Sequence, residues 1–182
     1  MQQLKSSTEP KASPQLALTA EDVERLLKDN TADIRVDMTD KIAGAYGAGG
    51  LSNSENKMAE QVFRLLLRDT ELKVRASLAQ HVKSSTVIPR DIVLSMAKDV
   101  EEVALPVLQY SEVLNDEDLL DIIQSSNEMA RYVAISNRSQ VSGIVSDSLL
   151  ERGNDTVVTA LVDNKGAQLS EYGFNKIIDN PK

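Results

Sequence analysis

One short pattern occurs five times along this chain, and each copy falls where one helix is expected to end and the next to begin. The five copies are DNTADIRVDM, DTELKVRASL, DVEEVALPVL, SNEMARYVAI and NDTVVTALVD. Their equivalent apolar positions, at intervals of 40, 30, 26 and 27 residues, are Ile34, Val74, Ala104, Ala130 and Val157. Such a period is typical of a helical repeat array, in which no single unit buries its apolar face alone. The pattern favours a binding scaffold over an enzyme.

The composition suits an all-α protein. Hydrophobic residues make up 41% of the 182 residues but aromatic residues only 3%, so the interior must consist mainly of aliphatic side chains, which suits layers of helices. The absence of Cys excludes disulfides, thiolate metal sites and a cysteine nucleophile, and is compatible with a reducing cytosol. No apolar run reaches the ~18 residues of a membrane span, and none resembles a signal peptide. We expect a soluble, cytoplasmic protein that needs no cofactor.

One folded domain with a disordered N-terminal tail is expected. Residues 1–18 carry Pro10 and Pro14 in a polar background and predict a disordered tail. Residues 19–182 predict one helical repeat domain of about eleven helices, beginning at Thr19 as an N-cap. The apolar pattern stops where a further helix should begin, which indicates an excised fragment or a half-repeat that lies in a further domain.

Several helix ends carry explicit signals. Ser52 and Glu55 predict a capping box, and Pro89 predicts the first position of a helix. The glycine-rich segment GAYGAGG at 44–50 predicts a flexible loop between helices. The helix after it should bury a face that comprises Met58, Val62, Leu65 and Leu66. The last helix should bury another such face, with Leu169, Tyr172, Phe174, Ile177 and Ile178.

The junctions also have an electrostatic pattern. Lys28-Asp29, Arg68-Asp69 and Lys98-Asp99 each place a cation at the end of one helix and an acceptor at the start of the next, which matches both helix dipoles. An Arg such as Arg75 follows the buried residue of some copies. We expect this Arg to reach back to an Asp of the adjacent repeat and to form a ladder along the stack.

The pairs Val74-Arg75 and Ala130-Arg131, together with Pro106 inside a helix, resemble HEAT-like repeats. The segments VALPVLQYSEVLNDEDLLDII (103–123) and AISNRSQVSGIVSDSLLERGNDTVVTALVDNKGAQLSEYGF (134–174) resemble a bacterial HEAT-like family known as domain of unknown function 2336. The resemblance covers roughly residues 20–180. It implies a bacterial cytosolic protein with a right-handed α-solenoid of about five hairpins, and it implies no activity or catalytic residue.

Two motif fragments are candidate chemical sites. His81 is the only histidine, so a zinc site or a Ser-His-Asp triad would have to be centred on it. It lies beside the apolar stripe of its helix, where packing is the favoured role, and phosphate acceptance in a signalling protein is the alternative. The glycines at 44–50 lack the Gly-Lys-Ser/Thr ending of a phosphate-binding loop, so a plain connection is favoured over a nucleotide site.

Charge is segregated along the chain. Residues 64–90 carry a net +4, whereas the segment between Lys98 and Arg131 holds nine acidic residues and no base. A solvated surface is the plain interpretation; the alternative is a basic repeat beside an acidic one that binds a protein partner or associates head to tail with another copy. The candidate interface residues are Arg64, Arg68, Arg75, Arg90, Glu112, Asp116, Asp118 and Asp121.

The sequence thus predicts a non-catalytic protein-interaction scaffold without catalytic or metal-binding residues. A phosphotransfer role for His81 is the first alternative. Nucleic-acid binding by a HEAT-like module is the second, and the formal net charge of −8 disfavours it because like charges repel the phosphate backbone.

Overall fold

The computed structural model describes residues 24–25 and 28–179, which include ten complete helices. The helices are α1 (Ala32–Gly47), α2 (Asn53–Leu66), α3 (Leu72–Val82), α4 (Arg90–Ala97), α5 (Glu101–Tyr110), α6 (Asp116–Ser125), α7 (Met129–Ser136), α8 (Gly143–Arg152), α9 (Asp155–Asp163) and α10 (Glu171–Ile178). The predicted all-α class is confirmed for this part of the chain. The predicted tail at 1–18 and the predicted N-cap Thr19 lie outside the described residues.

The helices pack in an alternating order. Each odd-numbered helix contacts the next odd-numbered one, so that α1, α3, α5, α7 and α9 form a continuous row. In the second row, α6 contacts α8 and α8 contacts α10. Sequence neighbours such as α1 and α2, or α4 and α5, also pack together. Of the apolar residues that recur at the junctions, Val74, Ala104 and Val157 are buried, whereas Ile34 and Ala130 are only partly buried.

The core lies between the two rows and runs through the described chain as one hydrophobic cluster, from Ile42 to Leu161. Val74, Leu78 and Val82 of α3 are buried as the helical period predicts. Burial of each large aliphatic side chain contributes about 1.5–3 kcal/mol. Buried side chains of every helix from α1 to α9 belong to one continuous core.

The buried face of α2 differs from the prediction. Met58 and Leu65 are 58% and 68% exposed, whereas Ala59 and Phe63 are buried. The ring of Phe63 meets that of Tyr46 edge to face, with their centroids 5.3 Å apart. The largest side chain therefore determines which face turns inward, and the apolar residues on the far side of the helix stay in solvent.

The glycine-rich segment is mostly helical, which corrects the prediction of a loop over 44–50. Helix α1 continues through Gly47, because Tyr46 in its last turn is buried and donates a hydrogen bond from its hydroxyl to the Val87 carbonyl at 3.0 Å. The Ala48 N–H closes the helix on the Gly44 carbonyl. Only Gly49 needs glycine's conformational freedom, since its φ is 70°.

Several helix signals are confirmed. Ser52 and Glu55 form the predicted capping box of α2, and Asn115 with Asp118 forms a second one at α6. Pro89 is the N-cap of α4 and not its first helical residue, a shift of one position. Pro106 lies inside α5. No helix in the described part of the chain combines the length and hydrophobicity needed to cross a membrane.

Candidate functional site

Basic side chains pair with carboxylates about one repeat further along the chain. Arg64 of α2 donates to Asp91 of α4 through Nε at 2.8 Å and a terminal nitrogen at 3.1 Å. Arg90 donates through Nε to Asp118 at 3.1 Å, and Lys98 donates to Asp121 at 2.8 Å. The partners lie 23–28 residues apart, which is about one repeat. Most of the predicted interface charges thus join consecutive units.

The junction arginines form a ladder between odd-numbered helices. Arg35 donates to the Asp69 carboxylate at 2.6 and 3.0 Å and to the Asn30 carbonyl at 2.7 Å. Arg75 repeats this geometry, with 2.8 and 3.0 Å to the Asp99 carboxylate and 2.8 Å to the Asp69 carbonyl. Each of these arginines therefore joins its own junction to the next one. They reach forward along the chain, opposite to the predicted direction.

Paired carboxylates along these contacts are held in the ionised form. The hydrogen bond from Arg35 lowers the pKa of Asp69, and the one from Arg64 lowers the pKa of Asp91. Burial opposes ionisation of Asp99, but hydrogen bonds from Arg75 and the Val100 N–H outweigh it, so the pKa of Asp99 is also lowered. The ladder is therefore an ionic structure at neutral pH.

The ladder changes its form in the middle of the chain. The residue that corresponds to Arg75 in α5 is Leu105, which cannot donate. Arg131 of α7 reaches back instead and donates to the carbonyls of Ala97 at 2.8 Å and Asp99 at 2.6 Å. The side chain of Arg131 thus satisfies carbonyls between α4 and α5. The face of α5 at Leu105 remains apolar.

The carboxyl ends of the odd-numbered helices are tied together in a similar way. Arg138 after α7 donates to the carbonyls of Leu108 at 2.6 Å and Ser111 at 2.8 Å. Asn164 after α9 donates through Nδ2 to the carbonyls of Ser136 and Arg138, both at 2.7 Å. These side chains satisfy carbonyls that a helix end leaves without a partner. Burial lowers the pKa of Arg138.

The remaining predicted interface residues are exposed. Arg68 forms no side-chain hydrogen bond or ion pair among the residues that the structure describes. Glu112 and Asp116 line a polar cavity of about 300 Å³ beside Arg138. The eight predicted residues therefore do not form one surface; five are paired internally and three are separate.

His81 lies at the surface with its side chain 38% exposed, so it is not packed in the core. Its Nδ1 is 2.9 Å from the Ser77 carbonyl and 3.6 Å from an Asp40 carboxylate oxygen. Together with Gly47 and Gly49 it lines a cavity of about 390 Å³. Across the described ranges, no three His, Cys, Asp or Glu side chains are grouped as a metal site requires.

A groove of about 440 Å³ crosses α5, α7 and the start of α9. None of its lining residues is charged, in a chain where 26% of residues are charged. The lining residues are Leu105, Gln109, Met129, Ala130, Val133, Ala134, Asn137, Asn154 and Thr156. The prediction from sequence missed this groove. Leu105, in the position that an Arg holds in the earlier units, was the signal that could have found it.

The end of the second row is also apolar. Phe174 and Ile178 of α10 are 56% and 63% exposed, and Tyr172 is half exposed. The prediction that they are buried is therefore wrong. Gly173 faces α8, where an added Cβ would lie 2.7 Å from an Asp147 carboxylate oxygen. Contact with α8 thus uses the smallest residue of α10 and leaves its large side chains in solvent.

Residues 103–182 match the model of a family described as an uncharacterised protein conserved in bacteria (DUF2336). The resemblance to domain of unknown function 2336 is confirmed for this segment, which includes most of α5, all of α6 to α10 and therefore the groove lining. Residues before 103 lie outside the match. No curated protein and no solved structure matches the chain significantly.

Proposed function

We propose that this chain, whose residues 103–182 belong to that bacterial family, is a non-catalytic protein-binding module built as a right-handed α-solenoid of about five HEAT-like hairpins. The contacts between alternate helices and the repeated Arg-to-Asp connections support this architecture. The lack of cysteine is compatible with the bacterial cytoplasm, where we place the protein.

The uncharged groove across α5, α7 and α9 is the observation that carries the proposal. Leu105, Met129 and Val133 are only partly buried there, and the groove that they line contains no charged side chain. A concave, largely apolar surface among polar ones is the usual form of a recognition site. Side chains along one row of helices are also the surface that stacked repeats present to partners.

Photo-crosslinking from the groove tests this function. A photoreactive amino acid that replaces Gln109, at the groove edge, should crosslink a defined protein in bacterial cells. Replacement of Gln124, an exposed Gln of α6 outside the groove, is the matched control and should give no such product. Val133→Asp should abolish the Gln109 product, since a carboxylate would enter the apolar floor. Absence of any specific product from Gln109 would count against the proposal.

A phosphotransfer role is the second candidate, and the exposure of His81 favours it over a packing role. The hydrogen-bonded Nδ1 leaves Nε2 as the nitrogen that would accept a phosphoryl group. Incubation with a phosphodonor should then label the protein, and His81→Ala should remove the label. An unlabelled wild-type protein would exclude this role.

Nucleic-acid binding has weaker support. Three arginines of residues 64–90 form ion pairs with Asp side chains, namely Arg64, Arg75 and Arg90. This part of the chain therefore offers few unpaired cations to phosphates. Contact with a phosphate backbone would require these pairs to break, in a chain whose formal net charge is −8.

A further inference from the structure

We infer that the groove binds a cationic amphipathic segment of a protein partner, with apolar side chains on the groove floor and Lys or Arg side chains against an acidic rim. The inference rests on the proposed function and adds the chemistry of the partner to it.

The floor of the groove suits one apolar face of a helix. Leu105, Met129 and Val133 come from two adjacent helices and remain half-buried, and the buried Ala134 allows close approach between them. The groove edges carry Asn, Gln and Thr side chains, which can donate and accept hydrogen bonds. Apolar residues at helical spacing on a partner would bury this floor.

The rim of the groove is acidic. Glu101 and Glu102 lie one turn before the lining residue Leu105 on α5. Asp155 lies between the lining residues Asn154 and Thr156, at the boundary with a neighbouring cavity of about 630 Å³ that it lines together with Asn154. All three are exposed, and none forms a side-chain ion pair with another residue in the described ranges. Their charges are therefore available to a ligand.

Two exposed bases lie within three residues of the rim in the described chain: Lys98, which is paired with Asp121, and Arg152, which donates to Asn127 Oδ1 at 3.4 Å. The three rim carboxylates therefore outnumber the one nearby base that has no carboxylate partner. Arg131, the base that lies closest along α7, has only 9% of its side chain exposed and is held by Glu128 and by the carbonyls of Ala97 and Asp99. The segment between Lys98 and Arg131 contains no base. A negative potential around an apolar floor attracts cationic ligands and repels anionic ones, so an acidic peptide or a nucleic acid is disfavoured.

Peptide binding tests the inference directly. The probe is a labelled peptide of about 18 residues, with Leu along one helical face and Lys elsewhere. Two comparison peptides keep its length: one has Glu in place of Lys, and one has the same composition in scrambled order. Fluorescence anisotropy with the full chain should show binding of the probe at least tenfold tighter than that of either comparison peptide.

Matched variants locate the contact. The rim variant Glu101→Gln, Glu102→Gln, Asp155→Asn should weaken probe binding about tenfold at low salt. The control variant Glu112→Gln, Asp116→Asn, Glu117→Gln removes the same charge from exposed residues outside the groove and should leave affinity within about twofold. The floor variant Met129→Gln, Val133→Asn should also weaken binding about tenfold, with its fold checked by circular dichroism.

Equal losses for the rim and control variants would show attraction to net charge only and would overturn the inference, as would equal binding of the scrambled peptide. If Gln109 still crosslinks a protein in cells while the probe shows no preference, the partner chemistry is wrong and the protein-binding function survives. If both experiments fail, the proposed function fails as well.

Discussion

At the scale of single residues, the junction arginines link one helix junction to the next. Arg75 has only 15% of its side chain exposed and its partner Asp99 only 17%. Two parallel N–H to oxygen bonds between a guanidinium and a carboxylate are stronger and more directional than a single ion pair. Such a bond stabilises the stack because it links residues of consecutive repeats.

Arg75→Ala should lower the free energy of unfolding by about 2 kcal/mol, because it leaves the Asp99 carboxylate and the Asp69 carbonyl without their donor. Urea unfolding followed by circular dichroism measures this change. Arg68→Ala is the matched control at an exposed site and should change the free energy by less than about 0.5 kcal/mol. Equal effects of the two variants would contradict a structural role for the ladder.

The paired carboxylates predict the direction of the pH dependence. The pKa values of Asp69, Asp91 and Asp99 are lower in the folded chain than in the unfolded one. Their contribution to stability is therefore present above the unfolded pKa, which is about 3.9, and is lost as the pH falls through the folded values. Asp99→Asn should destabilise the protein at neutral pH, and its difference from the wild type should shrink below about pH 4.

Urea unfolding at a series of pH values checks this expectation. Glu117→Gln, at an exposed position in α6, is the control and should follow the wild-type curve. A difference between Asp99→Asn and the wild type that stays constant down to about pH 3 would show that the charge of Asp99 does not act through its pairing.

At the scale of the helices, end capping is shared between units. Asn164 satisfies two carbonyls at the end of α7, and its Oδ1 accepts a hydrogen bond from the Gly166 N–H at 2.8 Å. The same connection includes a single parallel bridge between Val141 and Ala167. The last odd-numbered helices are thus held by a polar connection in addition to apolar packing.

Asn164→Ala should lower the free energy of unfolding by about 2 kcal/mol, because these carbonyls lose their donors. Asn164→Asp should cost more, since a carboxylate oxygen would replace the amide nitrogen beside two carbonyl oxygens. Thermal unfolding measures both effects. The same substitutions at Asn175, which is exposed on α10, should be nearly silent. Asn164→Asp as stable as the wild type would refute this capping role.

Helix faces also show where sequence periodicity succeeds. In α3 and α4 the buried face agrees with the helical period, because their apolar residues occupy one side only. Helix α2 has apolar residues on two sides, and the period alone could not choose between Leu65 and Phe63. Helix α10 also has apolar residues on more than one side. The face that contains Gly173 packs against α8.

At the scale of the whole molecule, apolar side chains are exposed near both ends of the described chain. Met58 and Leu65 of α2 lie towards one end, and Phe174 and Ile178 of α10 lie towards the other. These side chains favour head-to-tail association of two copies, in which α10 of one copy would pack against α2 of another.

Sedimentation should therefore show concentration-dependent association that Phe174→Glu weakens at least tenfold, by burying a charge in the contact. Ile144→Glu on α8, where Ile144 is 60% exposed, is the control and should have no effect. A mixture of Phe174→Glu and Met58→Glu proteins should associate again, since each keeps one intact end. Failure of the mixture to associate would exclude the head-to-tail contact.

The sequence by itself determined the helical class, the junction positions and the capping box at Ser52 and Glu55, because these depend on residues within about one turn of each other. It also indicated an Arg ladder, although not the direction in which its side chains reach. Tertiary structure decided which charges pair across a whole repeat and which apolar faces stay open. Those outcomes depend on how helices stack, so the predicted charged interface became internal ion pairs and the uncharged groove emerged where Leu105 replaces an Arg.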